Sequence, residues 1–193
     1  EVLLDMGRLK EAEDPLSRSF ELREELELRE GLVSSLRARA RRLALLGRSE
    51  EAAVGFEDAR ARAATDAGHG ERLKVELNRL QFQLEKDGAP VVRAELEALR
   101  AGESCWPPEA LDFEFHLLEA RLLAVEGRSD DARALFAGML DRHASKIEAY
   151  RRARVLRNMI ECCGEAAVPG GRSALEEYQN LLAFHEFDWL EES

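Results

Sequence analysis

Six residues, Gly47-Arg48-Ser49-Glu50-Glu51-Ala52, return almost unchanged eighty residues later as Gly127-Arg128-Ser129-Asp130-Asp131-Ala132. The wording is that of one helix ending and another beginning at once. Glycine takes the left-handed backbone conformation that closes a helix without a Cβ clash. Ser49 and Ser129 are placed to cap the following helix by accepting from its free N–H groups. The paired acids then fall in the first turn, where the helix dipole favours negative charge. Ala52 and Ala132 let the second helix lie close against the first, and Phe56 and Phe136 supply apolar bulk one turn later. A helix pair cannot bury its apolar face alone, so a hinge repeated at a fixed interval constrains the chain to stacked pairs.

Further copies set the interval. Gly7 is followed by Ala12 and Leu16 at the offsets that place Ala52 and Phe56 after Gly47. A copy midway through the chain is Lys86-Asp87-Gly88-Ala89-Pro90, with Val92 and Leu96 in the matching places, and Val168-Pro169-Gly170-Gly171 marks a fifth break. The period is about 40 residues. Ahead of the turns, Ala40 and Leu43 correspond to Ala120 and Leu123. The expected helix pairs are residues 1–6 with 10–26, 30–46 with 49–66, 70–86 with 90–101, 108–126 with 129–141, and 145–163 with 173–185. Pro90 and Pro108 lie in first turns, where a missing N–H costs nothing. At Pro15 either Asp14 caps a late-starting helix or the helix kinks. Short connections make successive helices antiparallel neighbours, and the fold class is all-α.

Composition narrows the function. Hydrophobic residues make up 45% and charged residues 35% of the 193 positions, as in a globular chain. Few β-branched residues, set against abundant Ala, Leu, Glu and Arg, favour helix nearly throughout. No apolar run approaches the roughly 18 residues that span a bilayer, and no secretory apolar segment opens the sequence. The chain begins at Glu1 inside an amphipathic pattern, which reads as a piece of a longer polypeptide. A net charge of -11 disfavours nucleic-acid and anionic-membrane partners, both of which require basic surface. Three cysteines, two of them adjacent at Cys162 and Cys163, make no disulfide framework and fit a reducing, cytoplasmic setting.

The small residue, bulky residue and turn glycine at these offsets resemble the tetratricopeptide repeat. The stretch Gly7-Arg8-Leu9-Lys10-Glu11-Ala12-Glu13, followed by Phe20-Glu21-Leu22-Arg23-Glu24, is similar to the longer repeats of kinesin light chains and bacterial regulators. The resemblance covers a partial repeat at 1–26 and repeats at 30–66, 70–101, 108–141 and 145–185, leaving an acidic-aromatic tail at 186–193. Arg39 and Glu119 depart from it, standing where the family usually keeps apolar residues. It implies a right-handed α-α superhelix, a solenoid of about 4.5–5 helix pairs, whose concave groove binds peptides or partner proteins.

Carried over by position, the inward residues are Arg37 and Arg41 in the second repeat, Asn78 and Phe82 in the third, and Glu114 and Arg121 in the fourth. Residues 31–48 hold five arginines and no acid, and residues 144–158 hold Lys146, Arg151, Arg152, Arg154 and Arg157 against Glu148 alone. Both stretches are first helices of their pairs, so Arg151 and Arg154 join the candidate groove. Arginine forks grip carboxylates bidentately, and asparagine can hold a peptide backbone at both N–H and C=O. The expected ligand is an acidic extended or short helical segment; the plainer alternative is a solvated charged face balanced by neighbouring acids.

The tail joins Phe187 and Trp189 to four acids, suited either to covering the end of a solenoid or to serving as a ligand itself. Other chemistry is poorly supported. His69, His116, His143 and His185 put no two on one helical face, and His116 sits at an apolar position. Cys105 beside Trp106 lies in a turn, and no C-x-x-C, phosphate loop, nucleophile elbow or metal-binding helix motif occurs. The expectation is a protein-interaction module with no catalytic residues, metal or cofactor. Its partner would be a protein or peptide. The alternatives are an effector-sensing segment that relays binding to a fused domain, and a homo-oligomer assembled through exposed repeat ends.

Overall fold

The computed structural model describes residues 2–102, 111–142, 149–164 and 173–191. Every regular element among them is a helix: α1 (Val2–Asp5), α2 (Glu13–Glu25), α3 (Arg29–Leu45), α4 (Ser49–Asp66), α5 (His69–Asp87), α6 (Ala89–Ala101), α7 (Asp112–Val125), α8 (Ser129–Arg142), α9 (Ala149–Cys163) and α10 (Ala174–Glu191).

The turns follow the glycines. Gly7, Gly47, Gly88, Gly127 and Gly164 all have positive φ, between 71° and 83°. At the end of α3 the Gly47 amide donates to Ala44 O and the Arg48 amide to Leu43 O, both at 3.0 Å. The end of α7 repeats this, with Gly127 donating to Ala124 O at 3.1 Å and Arg128 to Leu123 O at 2.9 Å. These bonds satisfy carbonyls that a helix end leaves open. The fifth such glycine is Gly164, just after α9; Val168–Gly171 lies outside the described residues.

The cap expected of Ser49 is not made. α4 starts at Ser49 itself, its N-cap residue is Arg48, and no side chain bonds the cap. The glycine turn uses Arg48 as its own second residue, so the connection is one position too short for Ser49 to cap. Arg48 reaches forward instead, its Nε donating to Glu51 Oε1 at 2.6 Å. The same arginine-to-acid link recurs from Arg8 to Glu11 at 2.7 Å and from Arg128 to Asp131 at 2.8 Å. α2 starts late, at Glu13, with Ala12 rather than Asp14 as its N-cap, which leaves Pro15 in the first turn. α10 runs through the expected boundary at 185 to Glu191, so 186–191 is helical.

The residues fall into two compact units. The first covers residues 7–115 with Leu3. In it α2 packs on α3, α3 on α4, α4 on α5 and α5 on α6, with α3 also touching α5. Val33, Ala59, Ala63, Ala67 and Val75 form one buried cluster. α3 and α4 come close at Ala40 and Gly55, where a Cβ added to Gly55 would stand 3.0 Å from Ala40 Cβ. The second unit runs from residue 116 and includes Val2 and Leu4–Met6. There α8 packs on α9 and α9 on α10, around buried Leu118, Phe136, Met139, Leu140, Val155, Leu156 and Leu4.

Candidate functional site

In the first unit, three expected groove residues meet. Arg37 lies on α3, eight residues into a 17-residue helix, with only 5% of its surface exposed. Its Nε donates to Glu71 Oε1 at 3.0 Å, and Nη1 donates to Asn78 Oδ1 at 3.4 Å. Asn78, 2% exposed on α5, passes the connection on: Nδ2 donates to Glu114 Oε2 at 3.3 Å. Ser34 Oγ donates to the same Glu71 oxygen at 2.8 Å, and Gln81 Nε2 donates to Glu114 O at 3.3 Å. Lys74 Nζ stands 3.6 Å from Glu71 Oε2 with 39% of its side chain exposed, and forms the wet edge of this line. The row crosses α3, α5 and the start of α7.

Burial makes this arrangement demanding. A charge taken out of water is tolerated only when it is paired and its remaining donors and acceptors are satisfied. Arg37 and Glu71 meet that condition with each other. A carboxylate arriving from a partner would have to share Arg37 with Glu71 or replace it. Arg41, 8% exposed, is likewise buried rather than solvated. Phe82 turns to the helix interface, stacked 5.5 Å from Phe56 on α4 at an interplanar angle of 29°.

In the second unit, α9 holds Arg151 and Arg154, and α7 holds Arg121. Arg154, 3% exposed, has its Nε 3.6 Å from Asp5 Oδ1. Arg157 Nη1 donates to Leu4 O at 3.1 Å, and Tyr178 Oη on α10 donates to Met6 O at 3.1 Å. Burial pushes the Tyr178 phenol up, which keeps its proton in place as a donor. Arg152 binds Leu140 O at 2.7 Å and pairs with Glu177, tying α8, α9 and α10 together. Arg151 lies over the Tyr150 ring at 5.9 Å. Arg121 stands beside Cys162: burial pushes that thiol up, and the guanidinium draws it partly back. The Cys163 thiol is pushed up by burial as well. Neither is a ready thiolate.

Glu71, Ser34 and Gln81 complete the first row, and Asp5 and Tyr178 join the arginines of the second unit, without having been singled out in the sequence; Arg157 was counted there only among the basic residues of its helix. One signal was available for the first. Glu71, Val75, Asn78 and Gln81 fall on one helical stripe, where three polar residues occupy positions that a packed helix fills with apolar ones. Asp5 carried no such mark. Cys105, Trp106, Pro108 and His143 lie outside the described residues, as do the side chains of His185, Phe187 and Trp189. Among the described residues no group of three or more His, Cys, Asp or Glu side chains could hold a metal ion, and no helix is long and apolar enough to cross a membrane. Compared with family models, with curated proteins and with solved structures, the chain matches none.

Proposed function

We propose that the chain is a protein-interaction module of tetratricopeptide-like helix pairs, arranged as a right-handed solenoid, that binds a peptide or partner protein along the first helices of its pairs. The observation that supports this is the meeting of Arg37, Asn78 and Glu114 along one hydrogen-bonded row across α3, α5 and α7. Arg37 and Asn78 each stand ten residues before a turn glycine and Glu114 thirteen before its own, so side chains of three first helices come together, as a shared groove would require. In this reading the buried row sets the spacing and polarity of the groove floor. In each unit taken by itself, contact with an acidic segment falls to a cation on a first helix, Lys74 on α5 in the first and Arg151 on α9 in the second. Apolar contacts supply most of the affinity and these cations select for acidic partners.

Fluorescence anisotropy with sets of short acidic, neutral and basic peptides tests the proposal. Acidic members should bind saturably, and salt should weaken them. Lys74→Glu or Arg151→Glu should weaken the best acidic peptide about tenfold through lost attraction at a rim charge. Equal binding of acidic and neutral sets, or indifference to both reversals, would remove the acidic preference. Charge reversal at Arg37 is a poor probe, because a second carboxylate beside Glu71 would unfold the site instead of reporting on a ligand.

A further inference from the structure

Residues Leu4, Asp5 and Met6 are held in the second unit much as a bound peptide is held. Leu4 is fully buried, Asp5 is 5% exposed and Met6 is 6% exposed. One charged side chain is met by an opposite charge, Asp5 by Arg154, with 7% and 4% of the two side chains exposed. The main-chain carbonyls on either side of Asp5 are taken by long side chains: Leu4 O by Arg157 and Met6 O by Tyr178. None of these contacts uses the covalent connection through Gly7, and their partners lie on α9 and α10, at the far end of the sequence. The segment itself contributes little local structure: α1 is four residues long and ends in the glycine turn.

We propose that α9 and α10 form a peptide site for a short segment of the pattern apolar–acid–apolar, occupied here in cis by Leu4-Asp5-Met6, and that a partner presenting this pattern binds by displacing it. The ligand is defined by three features. An apolar side chain fills the place of Leu4, a carboxylate pairs with Arg154, and two carbonyls flanking the acidic residue accept from Arg157 and Tyr178. The inference deepens the protein-interaction reading and rests on it, adding a site and a ligand pattern. The tethered copy competes at an effective concentration of the order of millimolar, so an external segment gains the site only where the internal one is weakened.

The test uses the full chain and a fluorescein-labelled synthetic peptide, Glu-Val-Leu-Leu-Asp-Met-Gly-Arg, which repeats residues 1–8. A Leu4→Ser/Asp5→Ala variant should bind this peptide saturably and at least about tenfold more tightly than the native chain does, because the tethered competitor is gone. Adding Arg154→Ala to the variant should weaken binding about a hundredfold, as removal of one partner from a buried charge pair does. Replacing the aspartate of the peptide by asparagine should weaken it in the same direction. Should the double variant lose its helical circular dichroism, Asp5→Asn, which keeps Leu4 buried, is measured against the same criterion. A folded variant that binds no better than the native chain, or one indifferent to Arg154→Ala, overturns the proposal. Acidic-peptide binding that responds to Lys74→Glu, measured separately, tells failure of this site from failure of the module reading.

Discussion

At the scale of single residues, the turns show how much a local backbone preference decides. Glu27 takes φ 52°, the one non-glycine with positive φ among the described residues, and closes α2 with the bond pattern of the glycine turns. Its amide donates to Glu24 O at 3.1 Å and that of Leu28 to Arg23 O at 2.8 Å. A side chain at left-handed φ costs about 1–2 kcal/mol. Glu27→Gly should therefore stabilise the chain by about 0.5–1 kcal/mol in urea denaturation, after allowance for the freer unfolded glycine. The arginine-to-acid links make a second residue-scale prediction. Hydrogen bonding from Arg8 and Arg48 holds the Glu11 and Glu51 carboxyls below the usual carboxylate range. Folded-state values below the unfolded ones mean that the contribution is present at neutral pH and lost as the pH falls through the folded values. The Tm difference between the native chain and a Glu11→Gln/Glu51→Gln variant should thus be small at pH 7, begin to shrink as the pH falls past the ordinary glutamate value of about 4.3, and vanish below the lowered folded-state values. Both links are exposed, so added salt should shrink the difference at every pH.

At the scale of elements, what joins α3 to α5 is partly ionic. Their contact includes the Arg37–Glu71 pair, with side chains 6% and 8% exposed. Breaking such a pair leaves an uncompensated buried charge, so Glu71→Ala should cost about 3–5 kcal/mol. Replacing both partners, as in Arg37→Met/Glu71→Leu, should recover most of that loss. A double-mutant cycle in urea checks the claim: near-additive losses would mean that the two side chains are not coupled. Elsewhere size does the joining. Gly55 sits inside α4, where glycine is a poor helix former, and its value lies in the close approach to Ala40 on α3. The two small residues occupy positions where an intermediate side chain would hold the helices apart.

At the scale of the whole molecule, sequence order and compact unit part company. α1 opens the chain, yet Leu4–Met6 belong to the second unit, with α9 and α10. A change at Asp5 should therefore act on α9. In native-state hydrogen exchange, Asp5→Ala should speed exchange of α9 amides, because it strands Arg154 without that carboxylate. Amides of α3 and α5 should keep their protection. The reverse pattern would mean that Asp5 contributes to the first unit instead.

The sequence by itself determined the helical class and most of the turn positions, because both rest on chemistry within a few residues of the chain. Only glycine enters the left-handed region at little cost, so Gly7, Gly47, Gly88 and Gly127 could be picked out as helix ends one after another. The burial of Ala52, Phe56, Ala132 and Phe136 followed from their places after the turns. Ser49 fell just short: a cap depends on the shift of a single residue, and the two-bond glycine turn consumed the position it needed. What neutralises each arginine was decided only in three dimensions. Arg37 and Arg154 read alike in a basic helix, whether water, a partner's acid or an acid of the same chain stands opposite. Glu71 lies a whole helix pair away from Arg37, and Asp5 lies at the other end of the chain from Arg154. Burial then turns each such meeting into a strong preference, since a desolvated charge without its counterpart costs a large share of a domain's stability.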